Sequence, residues 1–176
     1  MIYMIGGKAR SGKDTFTKYL KKELESIGKK VCVMQLSLYL KVLIREYLEI
    51  EMDDNNKPRK LLQELGTDII REKMGKKYFY TNRLIEDIEI LSNYFDTFIV
   101  SDVRLPLEYE EVSKKFSDVN KIYIERENNE DSLDGEEAKH ITEVALDSYH
   151  DYDFIIKNIT LESLENDARR IVGGSK

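Results

Sequence analysis

One cysteine, two prolines and two histidines among 176 residues set limits before any motif is read. The lone Cys32 allows neither an internal disulfide nor a thiolate zinc cluster, and its apolar surroundings make it a small core residue. That usage suits a reducing compartment, and a cytoplasmic location is expected. Both prolines, Pro58 and Pro106, stand where helical patterns open and fit first turns. Long hydrophobic runs are absent. The N-terminal apolar stretch is too short for a signal or a membrane segment, so no membrane partner is expected. Positive charge is not in excess either: 28 Lys+Arg against 34 Asp+Glu give a formal net charge of −6 and a pI of about 5.2. Without a basic block, this argues against nucleic acid as a partner. There are no internal repeats, no low-complexity tract and no Asn-Lys-x-Asp guanine signature.

With 41% hydrophobic residues the chain can bury a full core, and residues 1–176 read as a single domain. Its organising stretch is MIYMIGGKARSGKDT, residues 1–15. Ile2 to Ile5 reads as a buried strand, Gly6-Gly7 ends it, and a helical pattern begins at Gly12. Between them lies G-x-x-x-x-G-K: Gly7, Lys8, Ala9, Arg10, Ser11, Gly12 and Lys13. Strand, glycine loop and helix in that order make a phosphate-binding P-loop. Side-chain-free Gly7 and Gly12 let backbone N–H groups turn around phosphates, and Lys13 reaches the β- and γ-phosphates. Asp14 stands where such loops usually carry Ser or Thr, and Thr15 follows. A carboxylate beside a triphosphate needs an intervening cation, so Asp14 reads either as a magnesium group or as an acid favoured by the helix dipole. Thr15 then contacts a phosphate.

Strand and helix patterns alternate along the rest. Strands are expected over 31–36, 97–100, 121–124 and 154–156. Helices are expected over 15–27, from Ser37 to about Ile50, from Pro58 to about Met74, and over 80–92. Further helices are expected over 106–116, over 139–147 and from Leu161 onward, ahead of a frayed Gly-Gly-Ser-Lys tail. In the second helix Leu40, Leu43, Tyr47 and Leu48 are expected inward. The alternation predicts a parallel sheet with helices on both faces and ligands at the carboxyl ends of its strands.

Four more constellations lie at those ends or near them. Lys41 and Arg45, one helical turn apart, form either a cationic pair for a second phosphate or two solvated residues. Gln63, Thr67 and Arg71 make a polar stripe on the next helix, with Gln63 suited to a base edge and Arg71 to a phosphate. Gly66, costly in a helix, implies close approach by a base or a neighbouring helix. Ser101-Asp102-Val103-Arg104 follows the third strand, placing Asp102 to hold magnesium through water and Arg104 to clamp an acceptor phosphate, unless the two form a buried ion pair. Arg126 precedes the hydrophilic residues 127–137, which read as part of a lid over about 126–140, and is itself either a residue that meets ATP or a surface arginine. His140 reads as structural and His150 as surface.

Taken together, Gly7 to Asp14, Ser37-x-x-Leu40-Lys41, Ser101-Asp102-x-Arg104, His140-x-Thr142-Glu143 and the strand ending at Asn158 resemble the P-loop deoxynucleoside monophosphate kinases. The resemblance extends to their relative, animal-type phosphomevalonate kinase. It implies an α/β fold of three α/β/α layers, a P-loop NTPase with a five-stranded parallel sheet and a lid. It also implies that Lys13, Arg10 and Asp14 serve ATP and magnesium, that Lys41 and Arg104 serve the acceptor phosphate, and that Asn158 lies near the adenine. The acceptor region is expected over about 37–92. Tyr39 replaces the proline common in the family's Pro-Leu-Lys, and the lid is acidic, with Arg126 its only arginine.

The expected activity is transfer of the γ-phosphoryl group of ATP, with Mg2+, to a nucleoside or deoxynucleoside monophosphate by a monomer or homodimer. Lys13, Arg10, Asp102 and Arg104 would carry the chemistry. Two other readings are open: a kinase of phosphomevalonate or dephospho-CoA, and a nucleotide-dependent switch.

Overall fold

In the computed structural model, which describes residues 1–52, 58–126 and 140–174, five parallel strands form one sheet in the order β2-β3-β1-β4-β5. They are β1 (Ile2–Gly6), β2 (Val31–Met34), β3 (Thr97–Val103), β4 (Val119–Arg126) and β5 (Phe154–Asn158). β1 lies at the centre because its neighbours cover it from both sides, with Tyr3 opposite Ile99 on β3 and Asn120 on β4. Every residue of β1 is buried, as a run of apolar residues without alternation requires.

The pleat divides the core in two. Ile2 and Met4 point to a layer holding α2 (Leu38–Tyr47), α4 (Phe79–Leu91) and α5 (Pro106–Lys115), through Leu40, Ile44, Leu84, Ile88 and Val112. Tyr3 and Ile5 point to the other layer, where α1 (Lys13–Ser26) and α7 (Leu161–Gly174) supply Phe16, Leu20, Leu164 and Ile171. The three-layer α/β/α architecture expected from the alternation is therefore present. Cys32 is half-buried against the first layer. Among the described residues no helix is long and apolar enough to cross a membrane.

Several boundaries differ from expectation, each for a local reason. β2 ends at Met34, two residues early, because the Leu36 N–H turns away to donate to Asp102 at 2.7 Å. β3 runs three residues further, to Val103, and so carries Ser101 and Asp102 within the strand. In α2 the inward residues are Leu40 and Ile44; Tyr47, expected inside, is 77% exposed. The helix expected from Pro58 begins as α3 (Arg59–Gln63) and then winds wider as a π-helix over Glu64–Lys73. The Met74 N–H accordingly bonds five residues back, to Ile69 O at 2.9 Å. Gly66 sits where a Cβ would lie 3.0 Å from Leu40, so the neighbouring helix explains that glycine. Within the described residues, the helix expected over 139–147 is the single turn α6 (Ile141–Val144), and α7 continues through Gly174, past the expected fray. Most of the expected lid, residues 127–139, lies outside the described residues.

Ile99 is fully buried between β1 and β2. Ile99→Ala should lower unfolding free energy by about 2–5 kcal/mol in urea melts, the usual cost of a core cavity.

Candidate active site

Between β1 and α1 the chain turns back through residues with left-handed backbone, at φ 144° for Gly7, 61° for Arg10 and 98° for Gly12. Glycine is required twice for space as well. A Cβ on Gly7 would lie 2.6 Å from Ile124 O, and one on Gly12 would collide with the Asn158 amide. Arg10 adopts its conformation against the usual preference of an L-residue, so the surrounding contacts over-determine it. Those contacts hold carbonyl oxygens along the loop. The Lys13 ammonium donates to Gly7 O at 2.8 Å and Lys8 O at 2.6 Å, the Asn158 amide to Ser11 O at 2.9 Å, and Arg126 to Arg10 O at 3.3 Å. Asn158 and Arg126 pair in register at the ends of β5 and β4, which is how the sheet carries the loop.

Lys13 is buried, and burial pulls its pKa down from 10.5 to about 7, with the Arg104 guanidinium adding to the effect. An ammonium so poised gains most from an incoming polyanion. Arg104 follows β3 and reaches back over the loop. Its Nη1 donates to both Glu143 oxygens, at 2.9 and 3.0 Å, and lies 3.4 Å from Gly7 O. Glu143 also accepts from the Ala9 N–H at 3.0 Å.

Asp102 is committed to the chain turn after β2. It accepts from Leu36 N at 2.7 Å, Ser37 N at 3.1 Å and Ser37 Oγ at 2.5 Å. Ser37 thus stands just before α2, at the cap position, without its side chain capping the helix, since its hydroxyl serves Asp102. Asp102 and Arg104 do not form the buried pair that was the alternative; each has other partners.

A cavity of about 410 Å3 opens above this floor. The phosphate loop, Asp14, Lys41, Gln63, Gly66, Thr67, Arg71 and Tyr80 line it, and Arg104 links the loop to Arg71 through Gly7 O on one side and Glu108 on the other. Residues 9–15 and the polar stripe of the π-helical segment, distant in sequence, therefore face one space. Lys41 donates to Gln35 at 2.6 Å. Arg45 is not part of the lining; it pairs with Glu46 at the surface, because its position in α2 faces outward. Thr15 lines the cavity, whereas Asn158 and Arg126 reach it through the loop's carbonyls.

Sequence reading passed over Glu108, Tyr80 and Gln35 here, and met Glu143 only as a motif position without a role. Glu108 is 1% exposed and accepts from Arg104 N at 2.7 Å, Leu105 N at 3.0 Å and Arg71 Nη2 at 2.6 Å. Burial pushes its carboxyl up while Arg71 opposes the shift. A signal for it existed, a proline opening a helix with glutamate two residues on, which is half of a capping box. Arg71 also lies over the Tyr80 ring at 5.1 Å. Its Nε and Nη1, like the Tyr80 hydroxyl, are buried without a hydrogen-bond partner among the described residues, and burial raises the Tyr80 pKa to about 12.

The sequence profile of the deoxynucleotide monophosphate kinases matches residues 34–168. The chain belongs to the deoxynucleotide monophosphate kinase family. The match begins after the phosphate loop, so the loop geometry is a separate observation pointing the same way. This family member is a P-loop phosphotransferase that uses ATP. Its fold is shared widely. The APS kinase of Mycobacterium tuberculosis, in complex with AMPPNP and APS, superposes with a TM-score of 0.57 at 11% identity, over 98% of this chain and 95% of that one. The sugar kinase of Janibacter sp. HTCC2649 gives 0.55 at 11% identity, over 95% and 91%. Shikimate kinase of Aquifex aeolicus gives 0.51 at 15%, over 99% and 98%. At such identities the likeness is one of fold. No protein of curated function matches the sequence.

Two predictions follow from the electrostatics. Phosphate binding raises the Lys13 pKa above its ligand-free value of about 7, so ATP binding takes up a proton and weakens as pH rises from 7 toward 9. Calorimetry in buffers of different ionisation heat reads that proton directly. Glu108→Ala leaves the buried Arg71 cation uncompensated and should cost about 3–5 kcal/mol in chemical denaturation.

Proposed function

We propose that this kinase transfers the γ-phosphoryl group of ATP to a nucleoside or deoxynucleoside monophosphate. The observation that carries the reading is the single cavity joining Lys13 to the Gln63, Thr67 and Arg71 stripe. The loop and Lys13 take the donor phosphates, with Arg10 at the exposed crest of the loop. Arg104, between the two ends, serves the acceptor phosphate, and Lys41 adds positive charge on the same side. Gln63, Thr67 and Arg71 meet the nucleoside. Arg71 is already neutralised by Glu108, so that wall suits a neutral, hydrogen-bonding ring better than a second dianion.

Phosphoryl transfer asks chiefly for in-line positioning and charge neutralisation, and Lys13, Arg10 and Arg104 supply both. Asp14, exposed at the donor end, fits a hydrated magnesium ion shared with the phosphates. Asp102, already accepting three hydrogen bonds, would meet that ion through water. When bound, the ion adds neutralisation of the transferring group. Asn158 and Arg126 act by holding the loop's carbonyls.

ADP release from ATP across all ribo- and deoxynucleoside monophosphates, with phosphomevalonate and dephospho-CoA as controls, tests the acceptor. Turnover that depends on one or a few nucleoside monophosphates is expected. Slow release indifferent to acceptor would return the reading to a switch. Lys13→Ala should abolish transfer with the fold intact, at least 1,000-fold in kcat as an order of magnitude for a lost phosphate-stabilising group. Arg104→Ala should raise the acceptor KM far more than the ATP KM; an equal effect on both would remove it from the acceptor side.

A further inference from the structure

Glu143 stands between the two groups that phosphates need most. Its side chain is 9% exposed, one oxygen lies 3.0 Å from the Ala9 N–H of the phosphate loop, and both oxygens face Arg104 Nη1. A carboxylate and a phosphate oxygen cannot both occupy the acceptor position of one N–H. A buried negative charge beside a polyphosphate also opposes its binding.

What holds Glu143 there is a closed circuit of polar contacts. It sits on α6, a single turn whose placement comes from its contacts. His140 caps that turn, with Nδ1 at 3.3 Å from Thr142 N and 2.9 Å from Thr142 Oγ1. The other ring nitrogen, Nε2, lies 3.8 Å from Asp68 on the π-helical segment. From Glu143 the circuit runs to Arg104, whose N–H donates to Glu108, and from Glu108 to Arg71, three residues beyond Asp68. Donor loop and acceptor wall are thus joined through two carboxylates, Glu143 at the loop and Glu108 at the wall.

We propose that Glu143 is a positioning residue that fills the phosphate's place at the Ala9 N–H. It holds the loop and Arg104 in register before ATP arrives, and donor phosphates displace it from Ala9 while it keeps Arg104. The inference rests on the P-loop donor site of the proposed function. It differs from a metal-binding role for Glu143, which would need the cation to be felt.

Inorganic tripolyphosphate in EDTA is the probe, because it engages the donor loop without metal or nucleoside. Glu143→Gln should bind it about tenfold or more tightly than wild type, the scale of one charge removed at a partly buried site. In full turnover the same variant should raise the acceptor KM about tenfold and leave the ATP KM unchanged or lower, because Arg104 loses its brace. Unchanged or weaker metal-free binding would overturn the proposal. Wild-type hydrogen exchange gives a second test that does not depend on the variant folding. Tripolyphosphate should protect residues 7–14 and speed exchange over 141–147; protection of both would overturn the displacement. If wild type fails to bind tripolyphosphate while Lys13→Ala is equally inert, the donor site itself falls, a result distinct from either of these.

Discussion

Burying an ammonium group in a protein is costly, and here the cost is met by carbonyls that a phosphate loop must in any case turn away from its ligand. Lys13 Nζ, drawn onto Gly7 O and Lys8 O, fixes the curvature of the loop from inside. Asn158 and Arg126 fix it from the sheet. That arrangement forces left-handed backbone at Gly7, Arg10 and Gly12, and with it the need for two glycines. The same burial is the main cause of the depressed pKa of Lys13, with the neighbouring Arg104 guanidinium adding to it.

Carboxylates then do the scaffolding. Asp102 ties the end of β2 to β3 and thereby sets where α2 begins and Lys41 stands. Glu108 caps the start of α5, holds the Arg104 backbone and neutralises Arg71. Glu143 braces the Arg104 side chain. Each of these acids accepts from a cation or an N–H beside the cavity they line, and so holds its walls in place. The π-helical winding of Glu64–Lys73 belongs to the same wall, and wide helical turns of this kind are frequent at functional sites.

The sequence made the phosphate loop plain because its chemistry is local: strand, glycines and lysine lie within fifteen residues. The sheet was readable for a related reason, since buried parallel strands appear as short apolar runs bounded by turn residues. Strand ends were less so. β3 runs through the polar Ser101 and Asp102, whose partners sit on β2 and the turn after it and leave no periodic trace. Glu143 and Glu108 escaped for the same reason: their cationic partners, Arg104 and Arg71, lie 39 and 37 residues away. Arg45 failed in the opposite direction, because helical spacing places it near Lys41 without saying that α2 rotates Ile44 inward and Arg45 out.

That donor and acceptor phosphates meet in one cavity, between Lys13 and the Arg71 wall, is tested most directly by a bisubstrate analogue. Adenosine and a deoxynucleoside joined by a five-phosphate bridge would span both ends at once. Calorimetry should show it binding at least about 100-fold more tightly than ATP alone, as linked ligands do when geometry lets both engage. Affinity no better than that of ATP would mean that the two ends do not work as one site.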